Sequence, residues 1–109
     1  MINNISVGVD IIDLRKIPNF LDKSEERFFK DNYTQSEVDF ILKKNDKRKY
    51  FAIFFSIKES IVKCENIYIG QLFNTIEINF YQNIPIFNDL IISFSSSDNL
   101  IITTAIKMG

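Results

Sequence analysis

Four side chains in this sequence are of types that handle charge at a reacting centre: Asp10, Lys58, Glu59 and Lys63. Glu59 and Lys63 stand four positions apart, so on a helix they share a face, with Lys58 on the adjacent edge. An exposed pair of this kind contributes only roughly 0.3–0.5 kcal/mol, and by itself it is what many solvated helices carry. Asp10 closes an apolar stretch at residues 5–9 and by itself is equally a turn or helix-cap residue. Together they allow something more specific. One carboxylate at a strand end and another on a buried helix could converge on a hard cation. Magnesium is typically held by one or two carboxylates, completed by substrate phosphates and water. Two lysines beside it would neutralise phosphate oxygens. That sketches a phosphate-handling site, although spacing alone names no reaction.

The elements that must position these groups are legible in outline. Residues 5–9 carry β-branched side chains and read as a short buried strand ending at Asp10. Residues 14–23 are mixed; Pro18 lets a helix start near Ile17 or breaks one there. Residues 24–30 suggest a helical turn or two, with Ser24 as cap and Phe28 and Phe29 inward. Thr34-Gln35-Ser36-Glu37 is a capping box and opens a helix to about Lys44. Residues 46–66 contain no Gly or Pro and are apolar on most faces, as in a helix buried in a core or against a neighbouring subunit. Thereafter the period changes. Ile76, Ile78 and Phe80 alternate with Glu77 and Asn79, a strand with one wet face. Gln82-Asn83 is a turn before residues 84–87, and residues 90–95 and 100–106 are strands joined through 96–99. The fold class is α+β: a short N-terminal strand, helices including one long buried helix, then an antiparallel β meander packed on it. Residues 1–109 suit one domain with one core.

Composition excludes several chemistries. With one cysteine, Cys64, and no histidine, the sequence offers no internal disulfide, no Cys-based zinc site and no Ser-His or Cys-His dyad. A net charge of −1 gives no global field to hold nucleic acid, so a polyanion must meet a local basic patch. Residues 1–9 lack the basic start and the length of an export signal, and no apolar run approaches a membrane span. The expectation is a cytoplasmic protein.

Ordered blocks along the chain carry a resemblance. Val7-Gly8-Val9-Asp10-Ile11-Ile12 with Leu14-Arg15-Lys16-Ile17 resembles the opening strand and first helix of holo-acyl-carrier-protein synthases, in the 4′-phosphopantetheinyl transferase family. Asn32-Tyr33-Thr34-Gln35-Ser36-Glu37 resembles their T-x-x-E helix start. Residues 51–63, FAIFFSIKESIVK, are similar to the family's F-A-x-x-F/W-A-x-K-E-A-x-x-K helix. Thr75-Ile76-Glu77-Ile78 fits the following strand, and Ile92-Ser93-Phe94-Ser95 with Thr103-Thr104-Ala105-Ile106 resembles the closing hairpin.

The resemblance implies the small-type phosphopantetheinyl transferase fold and transfer of the phosphopantetheine arm of coenzyme A to a serine of an apo acyl carrier protein. It implies Asp10 and Glu59 as magnesium ligands, with Asp10, Glu59 and Lys63 catalytic. Glu59 or a metal-bound water would accept the serine proton. Lys58 and Lys63, with Ser93, Ser95 and Ser96, would contact coenzyme A, and Arg15 and Lys16 would meet the acidic carrier. It further implies a homotrimer with active sites between subunits.

There are also departures. Phe54 stands where the family usually has Arg, and Ser96 where it usually has His. Asn66-Ile67-Tyr68-Ile69 replaces a Gly-Thr-Gly loop, Asn83-Ile84-Pro85 replaces a Gly-Lys-Pro turn, and little remains of a helix between Phe87 and Leu90. Phe cannot replace a charge-assisted phosphate contact by Arg. Either Lys43, Lys44, Lys47 or Lys49 takes over, or these lysines are a solvated helix end. The departures favour a second reading, a degenerate non-catalytic member that binds a carrier protein or forms a structural trimer.

Overall fold

The computed structural model describes residues 4–109, so the first three residues of the stretch weighed as an export signal lie outside it. Its longest helix, α3 (Lys47–Cys64), is 18 residues long and starts at Asp46, whose side chain accepts the amide of Lys49. Phe51, Ala52, Ile53, Phe54, Ile57 and Ile61 are all buried. A helix apolar on so many faces needs cover on more than one side. A three-stranded antiparallel sheet of β1 (Ile5–Asp13), β5 (Leu100–Met108) and β4 (Ile91–Ser97) covers one side, in the order β1-β5-β4. Helices α1 (Glu26–Asn32) and α2 (Gln35–Leu42) cover another, and α2 opens on the capping box between Thr34 and Glu37. A two-stranded hairpin, β2 (Asn79–Tyr81) and β3 (Ile84–Ile86), stands apart from the sheet. The architecture is α+β. Among the described residues no helix is long and apolar enough to cross a membrane.

The first strand differs from expectation. It runs on to Asp13 and is not buried, because β5 pairs with it along one edge and α3 covers only one of its faces. Gly8, Asp10 and Ile12 point toward α3, while Val7, Val9 and Ile11 are each more than half exposed on the other face. At Gly8 the helix lies directly on the strand. A Cβ there would sit 1.8 Å from the Ser60 carbonyl oxygen, so no residue with a side chain fits.

The antiparallel part is likewise not one meander. The central strand β5 joins the first strand to β4, and β2–β3 forms its own ladder. Of residues 75–81, only Asn79–Tyr81 is strand, since Phe73–Thr75 closes into a 3-10 turn; the alternation holds in burial, with Ile76 and Ile78 inside and Glu77 outside. Gln82 and Asn83, both at positive φ, make the β2–β3 turn. Strand β4 runs through Ser97, leaving Asp98 and Asn99 as the loop to β5, with Asp98 at φ 53°. Leu14–Lys16 is a 3-10 turn that stops at Ile17 ahead of Pro18, and no longer helix forms there. Asp22, not Ser24, caps the next turn: its carboxylate accepts both the Ser24 amide and hydroxyl.

Candidate active site

Lys58 and Lys63 are five positions apart on α3, a rotation of about 140°, so they serve opposite sides of the helix. Lys58 turns toward α2 and is completely buried. Its ammonium donates to Glu37 Oε1 at 2.6 Å, to the Asn32 carbonyl at 2.8 Å and to the Phe73 carbonyl at 2.8 Å. Glu37 in turn accepts the amides of Thr34 and Ile78. Burial pushes Glu37 up and Lys58 down, while the attraction between them works against both shifts. All three ammonium protons are in use inside the core. The expected contact of Lys58 with coenzyme A is therefore corrected: this lysine ties α3 to α2 and the loop before β2.

Lys63 turns toward β1. Its ammonium donates to Asp10 Oδ1 at 2.9 Å and approaches the Val9 carbonyl at 3.3 Å. The Lys63 side chain is 52% exposed and Asp10 12%, so the pair lies at the surface where β1 packs on α3. The hydrogen bond it donates to Asp10 holds Lys63 above its ordinary value, hence protonated. Glu59, half-buried on the same side of α3, has its carboxyl pushed up, first by burial and then by the negative charge of Asp10, with Lys63 pulling it back. Two carboxylates from different elements thus share one electrostatic neighbourhood with one ammonium.

This donor set suits a hard divalent cation. Oxygen donors from one or two carboxylates are what magnesium takes from a protein, with the remaining positions left to phosphate and water. Among the described residues no group of three or more His, Cys, Asp or Glu gathers, so the protein side of such a site would be these two carboxylates.

The closing strand is divided by its own alternation. Phe94 lies across β5 from Asp10, both opposite Thr103, and Ser96 sits one row further on the same face. Ser93 and Ser95 point to the opposite face, where Ser93 pairs with Thr104 at 2.7 Å. Ser93 also lines a groove of about 260 Å3 with Pro85, Ile92 and Phe94. The structure therefore does not gather the three serines around one point within a subunit. A hollow of similar size, between Phe20, Phe29, Val38, Leu42 and Phe51 with Asp22, Lys23 and Glu26 at its rim, lies on the α1–α2 side and includes none of Asp10, Glu59 or Lys63.

Arg15 and Lys16 lie on the exposed turn after β1. Arg15 is paired with Asp13 at 2.7 Å, and its guanidinium holds the Asp13 carboxyl down to about 2. Sequence reasoning missed Arg48, whose guanidinium donates to the carbonyls of Ile17 and Arg15 and so pins this turn to the start of α3. It also missed Glu37 as the counter-ion of Lys58. The capping box marked Glu37, but its second role depends on a residue 21 positions away.

The family model of the 4'-phosphopantetheinyl transferase superfamily matches residues 6–103. The holo-[acyl-carrier-protein] synthase of Leptospira biflexa serovar Patoc is 35% identical over 74 residues, covering 68% of this chain and 58% of the relative. That of Maridesulfovibrio salexigens is 40% identical over 76 residues, covering 68% and 60%. The matches thus span about three-fifths of these relatives' length. The same fold is seen in the holo-[acyl-carrier-protein] synthase of Helicobacter pylori in complex with coenzyme A, at TM-score 0.78 and 21% identity over 94% of this chain and 99% of that one. The Thermotoga maritima synthase superposes at TM-score 0.76 and 21% identity, over 93% of this chain and 61% of that one.

Proposed function

The chain belongs to the 4'-phosphopantetheinyl transferase superfamily, and on that footing we propose that it transfers the phosphopantetheine arm of coenzyme A to a serine of an apo acyl carrier protein, with magnesium, as a cytoplasmic enzyme. The observation that carries the proposal is the Asp10–Lys63 ion pair where β1 packs on α3, with the Glu59 carboxyl in the same electrostatic neighbourhood. Asp10 and Glu59 would hold the magnesium. When bound, it would offset charge on the attacked phosphate and the leaving group. Lys63, protonated and half exposed beside Asp10, would meet phosphate charge as it develops. Glu59 or a metal-bound water would accept the serine proton, and no histidine competes for that role. Arg15 and Lys16, on a turn held by Arg48, would steer the acidic carrier.

A homotrimer belongs to the same proposal. The outward face of the sheet carries Val7, Val9, Ile11, Ile91 and Ile102, all substantially exposed in the single chain. A contiguous apolar sheet face calls for a covering partner. Ser93 and Ser95 lie on that face, so they would come to the seam between subunits, where coenzyme A would be shared.

One observation favours the non-catalytic alternative. Phe54, in place of the usual Arg, is 1% exposed and packs on Phe40 and Phe80, so that position offers no charge to a phosphate. The deciding experiment is mass spectrometry of apo acyl carrier proteins incubated with the chain, coenzyme A and magnesium. The transferase reading expects a gain of one phosphopantetheine, lost with chelator. No gain across several carriers would transfer the case to the non-catalytic reading.

A further inference from the structure

We propose that Ser56 and Thr103 are positioning residues for Asp10: a buried chain of two hydroxyls, from β5 through α3, fixes which carboxylate oxygen faces Lys63 and the surface. The inference rests on the reading of Asp10 as a cation ligand. Both hydroxyls are completely buried among apolar neighbours. Burying a hydroxyl is unfavourable unless it is bonded. Here the bonds lead to one place. Ser56 Oγ lies 2.8 Å from Asp10 Oδ2 and 2.9 Å from Thr103 Oγ1, and Thr103 Oγ1 lies 2.9 Å from the Ser56 carbonyl oxygen.

The proton count gives the chain a direction. Each hydroxyl has one proton, and the cluster has three contacts. An ionised carboxylate can only accept and is the strongest acceptor present, so the Ser56 proton goes to Asp10 Oδ2. Ser56 Oγ is then left to accept, and the Thr103 proton is shared between Ser56 Oγ and the Ser56 carbonyl. The other carboxylate oxygen, Oδ1, carries Lys63. Asp10 is thus held from behind on Oδ2 by the core and presents Oδ1 toward the exposed lysine. Partners that orient a metal-binding carboxylate typically change metal affinity or activity by about 10–100-fold when removed.

The test measures Mn2+ binding by water-proton relaxation, with coenzyme A present, on the full chain. Asp10→Ala serves as the control for the ligand role. Ser56→Ala should lower Mn2+ affinity about tenfold, with the urea midpoint moving little because alanine suits a helix interior. Thr103→Val, which keeps the shape but not the hydroxyl, should lower affinity by a smaller factor, and Thr103→Ser should restore it. Should Ser56→Ala not fold, the Thr103 pair carries the comparison alone. A purely structural role would lower the urea midpoint and leave Mn2+ affinity at the wild-type value; that result overturns the proposal while Asp10→Ala still loses Mn2+. If Asp10→Ala binds Mn2+ as the wild type does, the ligand reading fails and this inference falls with it.

Discussion

Two lysine–carboxylate pairs anchored on one helix, five residues apart, meet opposite conditions. The Lys58–Glu37 pair is wholly enclosed, whereas Lys63–Asp10 stands at the surface with its lysine half in water. Inside, every ammonium proton and both carboxylate oxygens have fixed partners, so the pair can hold only one arrangement. At the surface the lysine has one carboxylate and one distant carbonyl, with Glu59 nearby, and an arriving anion or cation can redistribute those contacts. A buried ion pair locks the geometry and an open one remains available for chemistry. The lesson is that lysine in a functional motif has to be placed before it is assigned.

The comparison breaks first at Lys58. Lys58→Ala strands Glu37 in the core and should cost about 3–5 kcal/mol, a large part of a small domain's stability, seen as a collapse of the urea midpoint. A variant with unchanged stability and weakened coenzyme A binding would reverse the assignment. Next comes Glu59→Ala, expected to lower turnover by about 10²–10⁴-fold, the range of a lost general base, with the urea midpoint near wild type. Lys63→Met should lower turnover by about 10²–10³-fold, as a lost preorganised donor does. Its stability should change by no more than about 1 kcal/mol, since its ion pair is half exposed. Equal stability losses at Lys58 and Lys63 would erase the contrast.

The smallest effect sharpens it. The Glu59 carboxyl is raised in the folded chain, so the folded state holds this proton more tightly than the unfolded state does. Stability from that proton is fully present below the ordinary value of 4.5 and is lost as pH rises through the raised one. Glu59→Gln without divalent cation should therefore be slightly more stable than wild type at neutral pH, by a small margin because the group is partly exposed to solvent. The advantage should vanish toward acid. Thermal melts across that range check the sign; a variant less stable at neutral pH would mean Glu59 makes a structural contact.

Much of this was legible in the sequence because it is local. The capping box at Thr34 and Glu37, the Gly-free run of α3 and the Gln82-Asn83 turn each depend on residues within a few positions. Asp10, Glu59 and Lys63 were legible as a set through their place in ordered blocks. What was not legible is tertiary. Nothing near Lys58 says that its carboxylate comes from α2, and helical spacing alone puts it beside Glu59. The apolar residues of the first strand suggested burial, but the strand lies at the sheet edge and one face stays open in the single chain. Ser56 and Thr103 carry no signal of their own, since a serine in an apolar helix and a threonine in a strand are both commonplace.

The pairing of β1 with β5 has a kinetic meaning. Ile5 meets Met108 and Asp10 meets Thr103, contacts that join the two ends of the folded chain. Contacts of such separation form slowly, because the loop between them must close before they can contribute. Glu59 and Lys63 come with the helix, whereas Asp10 takes its place only when β5 is there to receive β1. Refolding should therefore restore helical signal before it restores the Asp10–Lys63 pair. In the native protein, loosening β5 should separate Asp10 from Lys63 while α3 stays helical, an order that hydrogen exchange along β1, β5 and α3 would reveal.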